Sequence, residues 1–226
     1  MDDDAEPLPD SLQGLLRYAD DDTAALANLK VSPDGRPQYI HRGFFDFNSF
    51  GTFVRPVTED DLREETLEID HASFVGILIN SDSVREIGFP RKELFLHYDD
   101  VEYCLRLRST GKIILVPWNL ILHKEAAERG NLTKDLFGRE ISVVPYDKLW
   151  LRYYGARNSI WLRRKEMSRA RLFIFMVRAI LLSVAAQIIT GIREKPFRRV
   201  RFILSAYSDG LRGRFDNEKP RRILYG

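Results

Sequence analysis

The stretch from Asp99 to His123 constrains the fold more than any other part of the chain. Val101, Cys104, Leu105 and Arg108 follow Asp99-Asp100 at the spacing of an amphipathic helix. Gly111 closes that helix, and KIILV at 112–116 reads as a strand before Pro117. Leu120 to Leu122 gives a second extended run, which ends on His123. A helix handing over to strands within one short segment sets the expected class as α/β.

The flanking sequence supplies further elements. Ser11 to Leu29 reads as a helix, with Leu12, Leu15, Leu16 and Ala19 at helical spacing and Asp10 or Ser11 as cap. VSPDGR at 31–36 is a turn signal. Aromatic residues crowd Tyr39 to Phe53, interrupted by Gly43 and Gly51, and fit either short strands or a mobile binding loop. Residues 58–70 are acidic, and Ala72 to Asn80 reads as a buried strand. Ser81 to Ile87 predicts a brief helix ended by Gly88. From Tyr146 onward the sequence turns basic and helical, and Arg198 to Gly226 shows no obvious order.

At 226 residues the chain can bury one good core, or one core with a smaller appendage. A hydrophobic content of 44% with 30% charged residues belongs to an ordinary globular protein. The single cysteine, Cys104, excludes an intrachain disulfide and fits a reducing compartment. The acidic N-terminus lacks an apolar core, so no signal peptide is expected. The net charge of +2 hides an asymmetry. Residues 1–150 carry 17 Lys+Arg against 28 Asp+Glu, and residues 151–226 carry 18 against 5. The expected division is therefore a first part, 1–150, and a basic helical part, 151–226, suited to an anionic partner.

Leu172 to Ile192 is 21 residues long, flanked by Arg169 and Arg171 on one side and Arg193 and Lys195 on the other. Its helical length of about 31 Å would suffice to cross a bilayer. Arg178 near its middle costs roughly 2.5–3.5 kcal/mol on insertion. A helix lying on an anionic membrane surface accounts best for the basic balance, with a buried soluble helix as the alternative. No groove-binding or base-stacking motif points to nucleic acid.

Three features carry candidate chemistry. Asp2-Asp3-Asp4 reads alone as an acidic tail or as a carboxylate set for a divalent metal. Asp99-Asp100 fits a helix cap with a dipole partner, or a cap whose neighbour faces a cleft as general base. His123 fits a hydrogen-bonded structural histidine or a neutral imidazole ligand. His41, His71 and His97 show no recognisable ligand spacing.

The joint order is more informative than any one motif. Asp2-Asp3-Asp4, then Phe74-Val75-Gly76, then FLHYDDVEYCLR at 95–106, then His123 resembles the catalytic half of family-two glycosyltransferases with the GT-A fold, especially rhamnosyl- and galactofuranosyltransferase-like members. YGARN at 154–158 and DGLRGR at 209–214 are similar to that family's C-terminal region. The resemblance implies the C-terminal part of a GT-A, Rossmann-like domain followed by a basic helical region. It implies Mg²⁺ or Mn²⁺ held by Asp2, Asp4 and His123, Asp3 near the nucleotide sugar, Asp100 as catalytic base and Asp99 as its neighbour. The implied reaction is inverting transfer from a nucleotide-sugar donor to a glycan or lipid-linked acceptor. The implied location is cytoplasmic, peripheral on the inner face of the cell membrane. Phe44, Phe45 and Phe47 fit an acceptor loop or ordinary core aromatics.

In the family, nucleotide-binding βαβ units precede the Asp triplet, whereas here only Met1 does. The expectation is a truncated chain of impaired activity, partnered by an oligomer or a separately encoded N-terminal half. The alternative is a non-catalytic remnant that binds a membrane or a partner protein.

Overall fold

The computed structural model describes residues 4–124, 132–136, 139–144, 148–191 and 196–226, without the side chains of 132–136, 139–143, 187–191 and 196. The fold is mixed α/β and divides into two compact units, 1–91 with 99–127 and 92–98 with 128–226. Leu149 lies in a helical core of the second unit.

In the first unit, β1 (Ala5–Pro7) and α1 (Ser11–Leu16) lead into β2 (Thr23–Val31). Here the expected helix from Ser11 to Leu29 is corrected: only its first third is helical. All nine residues of β2 are buried. Ala and Leu favour helix in isolation, but Thr23, Asn28 and Lys30 are buried along with their apolar neighbours, which suits a strand covered on both faces and leaves no polar face for a surface helix. β3 (Arg42–Phe45) and β4 (Val54–Pro56) resolve the aromatic segment as a hairpin, with Gly43 opposite Pro56. β5 (Leu67–Ile69), β6 (His71–Ala72) and β7 (Ile77–Ile79) follow. The single strand expected over Ala72 to Asn80 is thus two short ones. Gly76 lies between them at φ +65, and a Cβ there would sit 2.8 Å from Ile121 Cγ2.

α2 (Ser81–Ile87) begins where Asn80 Oδ1 accepts the Asp82 N–H and ends at Gly88, as the sequence predicts. α3 (Asp99–Leu107) and β8 (Lys112–His123) complete the unit. Pro117 does not end the strand. Asn28 pairs with Val116 and Leu29 with Leu120, so residues 117–119 bulge out of the β2 register. A proline lacking an N–H is tolerated at such a bulge. The sheet runs β1-β8-β2-β7, with β5 pairing the other half of β8's outer edge. β2 and β8 are parallel, and their contacts with β1, β5 and β7 are antiparallel. α3 packs Tyr103, Cys104 and Leu107 onto Ala25, Ala27, Ile113 and Leu115 in the main core. Asn28, Ser11 and Asn119 form a buried side-chain network that ties α1 to β2 and the bulge (2.8–3.0 Å).

The second unit holds a hairpin, β9 (Leu132–Leu136) with β10 (Arg139–Val143), and the helices α4 (Leu151–Glu166), α5 (Arg169–Gly191), α6 (Pro196–Arg212) and α7 (Lys219–Tyr225). The tail from Arg198 is therefore two helices joined by a turn over 213–218, anchored by Leu224 in a core with Tyr153, Phe202 and Ala206. α4 and α6 approach closely at Gly210, where a Cβ would lie 2.4 Å from the Arg157 carbonyl. One face of α5 packs Phe175 and Met176 against Ile160, Ile203 and Tyr207. Its other face leaves Phe173, Ile174, Val177, Leu181 and Leu182 exposed. No helix among the described residues is long and apolar enough to cross a membrane.

Candidate active site

Two of the residues assigned to a metal site meet at one corner of the sheet. β1 pairs antiparallel with the end of β8, placing Ala5 opposite His123, and the Lys124 N–H donates to the Asp4 carbonyl (2.8 Å). This brings Asp4 Oδ1 to 3.4 Å from His123 Nε2. His123 is buried, and its Nδ1 lies 3.2 Å from Gln38 Oε1. An oxygen partner on the far ring nitrogen fixes the tautomer and orients the other nitrogen, as behind many metal-bound histidines. Gln38 went unnoticed in the sequence because nothing in its spacing refers to His123. Asp2 and Asp3 lie outside the described residues. Among the described residues no three His, Cys, Asp or Glu side chains are grouped to hold a metal ion. Asp4 and His123 together offer one carboxylate and one imidazole, of which the carboxylate suits a hard divalent cation.

The second constellation sits at the start of α3. Asp100 Oδ1 accepts the Val101 N–H (2.7 Å), and Oδ2 lies 3.4 Å from His71 Nε2 on β6. Burial works to raise the Asp100 pKa. The His71 contact and charge, the Val101 N–H and the charge of His41 together outweigh it and hold the carboxyl below its ordinary value. His71 is 3% exposed, and its Nδ1 has no hydrogen-bond partner among the described residues. Its role was invisible in the sequence, where histidine spacing carries no trace of a partner reached only through folding. Asp99, half-buried, opens the same first turn.

Arg42 lies behind this pair, fully buried on β3. It donates to the carbonyls of Asn28 (2.8 Å), His41 (2.8 Å), Val75 and Gly76 (3.2 Å) and to Ser73 Oγ (3.1 Å). Burial pushes its pKa down to about 10, opposed by the charges of Cys104 and Asp100. Cys104 is fully buried, donates to the Ala72 carbonyl (3.3 Å), and has its thiol pKa pushed up to about 12 by burial. It is therefore an inert thiol. Phe44 and Phe45 are half-buried against the main core, and Phe47 packs on Phe45 and Phe53.

The two stretches singled out in the second unit meet at the crossing of α4 with α6. Asp209, 2% exposed, accepts the Tyr153 hydroxyl (2.7 Å) and the Lys219 ammonium (2.7 and 2.8 Å). Asn158 Nδ2 donates to the carbonyls of Leu94 (2.9 Å), Leu96 (3.0 Å) and His97 (2.8 Å). Arg157 adds contacts to the Glu93 and Leu94 carbonyls (3.2 and 3.3 Å). The segment they grip is strained: Phe95, His97 and Tyr98 have φ of 60, 63 and 65°. It leads in sequence directly into Asp99. Strain of this kind persists only where surrounding contacts over-determine it.

No family model matches this chain, and none of the curated proteins matches it.

Proposed function

We propose that this chain is an inverting, metal-dependent glycosyltransferase of GT-A type, acting from a nucleotide-sugar donor on a glycan or lipid-linked acceptor. The observation that carries the reading is the Asp100 carboxylate, held ionised by His71 at the head of α3. The approach of Asp4 to His123 supports it. Asp100 accepts the proton of an acceptor hydroxyl as its oxygen attacks the anomeric carbon from the face opposite the leaving group. The bond from that carbon to the diphosphate oxygen breaks, the new glycosidic bond forms, and the configuration inverts. His71, buried behind Asp100, orients the carboxylate and favours its charged form. Asp4 and His123 would hold a bound Mg²⁺ or Mn²⁺, which supplies charge neutralisation to the departing nucleoside diphosphate.

The purified chain is incubated with Mn²⁺, a panel of nucleotide sugars and lipid-linked or polysaccharide acceptors, and product configuration is read by NMR. Asp100→Asn is expected to lower transfer about 10²–10⁴-fold. His123→Ala is expected to weaken Mn²⁺ binding measured by electron paramagnetic resonance. Transfer is expected to be weak in a chain that lacks the family's nucleotide-binding units; transfer indifferent to Asp100→Asn, or Mn²⁺ binding indifferent to His123→Ala, overturns the reading.

A second reading, a non-catalytic protein resting on an anionic membrane surface, is favoured by the five exposed apolar side chains of α5. Peripheral attachment through this helix is compatible with either reading.

A further inference from the structure

A cavity of about 630 Å³ opens in the second unit beside α6 and α7, remote in sequence from every residue discussed as catalytic. Five cations line it: Arg198 and Arg201 from α6, Arg214 from the following turn, and Lys219 and Arg222 from α7. Along with Ile223 and Gly226, two carboxylate side chains share the lining, Asp209 and Asp216. Both are already satisfied within the fold. Asp209 is turned inward to Tyr153 and Lys219. Asp216 accepts the backbone N–H groups of Glu218 and Lys219 (3.1 Å each) and pairs with Arg222. Arg198 reaches the Leu224 carbonyl (3.3 Å). The Arg214 N–H donates to the Asp209 carbonyl (2.9 Å), but the guanidinium groups of Arg201 and Arg214 make no hydrogen bond or ion pair among the described residues, and both residues are exposed.

An ordinary solvated basic face spreads its charges over convex surface, where water and salt screen them. Here like charges converge on a concavity of the size that takes small ligands. Their mutual repulsion disfavours the empty arrangement, and an anion bridging them reverses its sign. Guanidinium groups match the oxygens of a phosphate in a two-pronged geometry that carboxylates of the same cavity do not compete for. We infer that this cleft is a binding site for a phosphate or diphosphate group, with Arg201 and Arg214 as its unshared donors. The group could be supplied by a phospholipid headgroup or by a soluble phosphorylated compound. The site goes beyond the glycosyltransferase reading and does not depend on it.

The test uses the full chain and two probes. Inorganic pyrophosphate binding is followed by isothermal titration calorimetry, and vesicles of phosphatidylcholine with or without phosphatidic acid by flotation. The double variant Arg201→Ala/Arg214→Ala is compared with Arg63→Ala/Arg85→Ala, which removes the same charge from exposed positions in the first unit. Far-ultraviolet circular dichroism checks that both remain folded. The inference expects the cleft variant to lose at least tenfold in affinity and the control less than twofold. Loss of pyrophosphate binding alone identifies a soluble phosphorylated ligand. Loss of phosphatidic acid binding alone identifies a headgroup, and loss of both identifies a phosphate site open to either source. Failure of both probes to bind the unaltered chain overturns the inference, as does an equal loss in the control.

Discussion

At the scale of single residues, the behaviour of Asp100 turns on His71. Burial alone would raise the carboxyl pKa, and His71 is the first of the groups that lower it. In His71→Ala the burial is less opposed, so the Asp100 titration followed by carboxyl ¹³C NMR is expected to move to higher pH. The same linkage sets a stability window. Because the folded pKa is depressed, the ionised Asp100 contributes stability that is complete above about pH 5. That stability is lost as pH falls through about 4 and below. Denaturant titrations at a series of acidic pH values should show a shallower loss in Asp100→Asn than in the unaltered chain. Arg42 is a second test. Its guanidinium satisfies carbonyls contributed by β2, by His41 and by the turn before β7. Arg42→Met leaves them buried without donors, and a destabilisation of about 3–5 kcal/mol is expected by urea denaturation. Asp4, His123 and Asp100 were singled out in the sequence as candidates, through the resemblance that their order along the chain carries. His71, Gln38 and Arg42 were not, because each acts through a partner that only the sheet brings near.

At the scale of elements, the helices with explicit punctuation could be read directly. α2 has Asn80 at its head and Gly88 at its end, and α3 opens with a pair of carboxylates. The Thr23–Val31 strand was misread because its alanines and leucines carry helix propensity while its burial on every position carries none of a helix's polar face. The final helix was missed because a seven-residue, arginine-rich segment has too few apolar positions to show a period. Its order comes from the Lys219 contact to Asp209 and from Leu224 in the core. The grip of α4 on residues 93–97 offers a test at this scale. Asn158→Ala frees three carbonyls from their shared donor while the left-handed residues keep their strain. Hydrogen exchange followed by mass spectrometry should show faster exchange confined largely to 93–98, with a global loss of about 1–3 kcal/mol.

At the scale of the whole molecule, the charge division was plain in the sequence, since counting needs no contacts. Which face of the apolar helix is buried was not, because both faces are apolar. α5 packs one face internally and leaves Phe173, Ile174, Val177, Leu181 and Leu182 outward, with Arg178 on the same outer face. Phe173→Asp with Leu181→Asp should weaken flotation with anionic vesicles several-fold while leaving pyrophosphate binding unchanged. The strand that ends on His123 carries a different kind of consequence. Residues 117–119 have no counterparts on β2, and an odd number of extra residues inverts which side chains face which side beyond them. The meeting of Asp4 with His123 is thus fixed by how many residues the bulge holds. Trp118 within the bulge reaches Tyr18 (3.2 Å) and Arg17, and the loss of a single residue would turn the imidazole to the opposite face. The corner that joins Asp4 to His123 is therefore set by a count of residues as much as by the side chains that meet there.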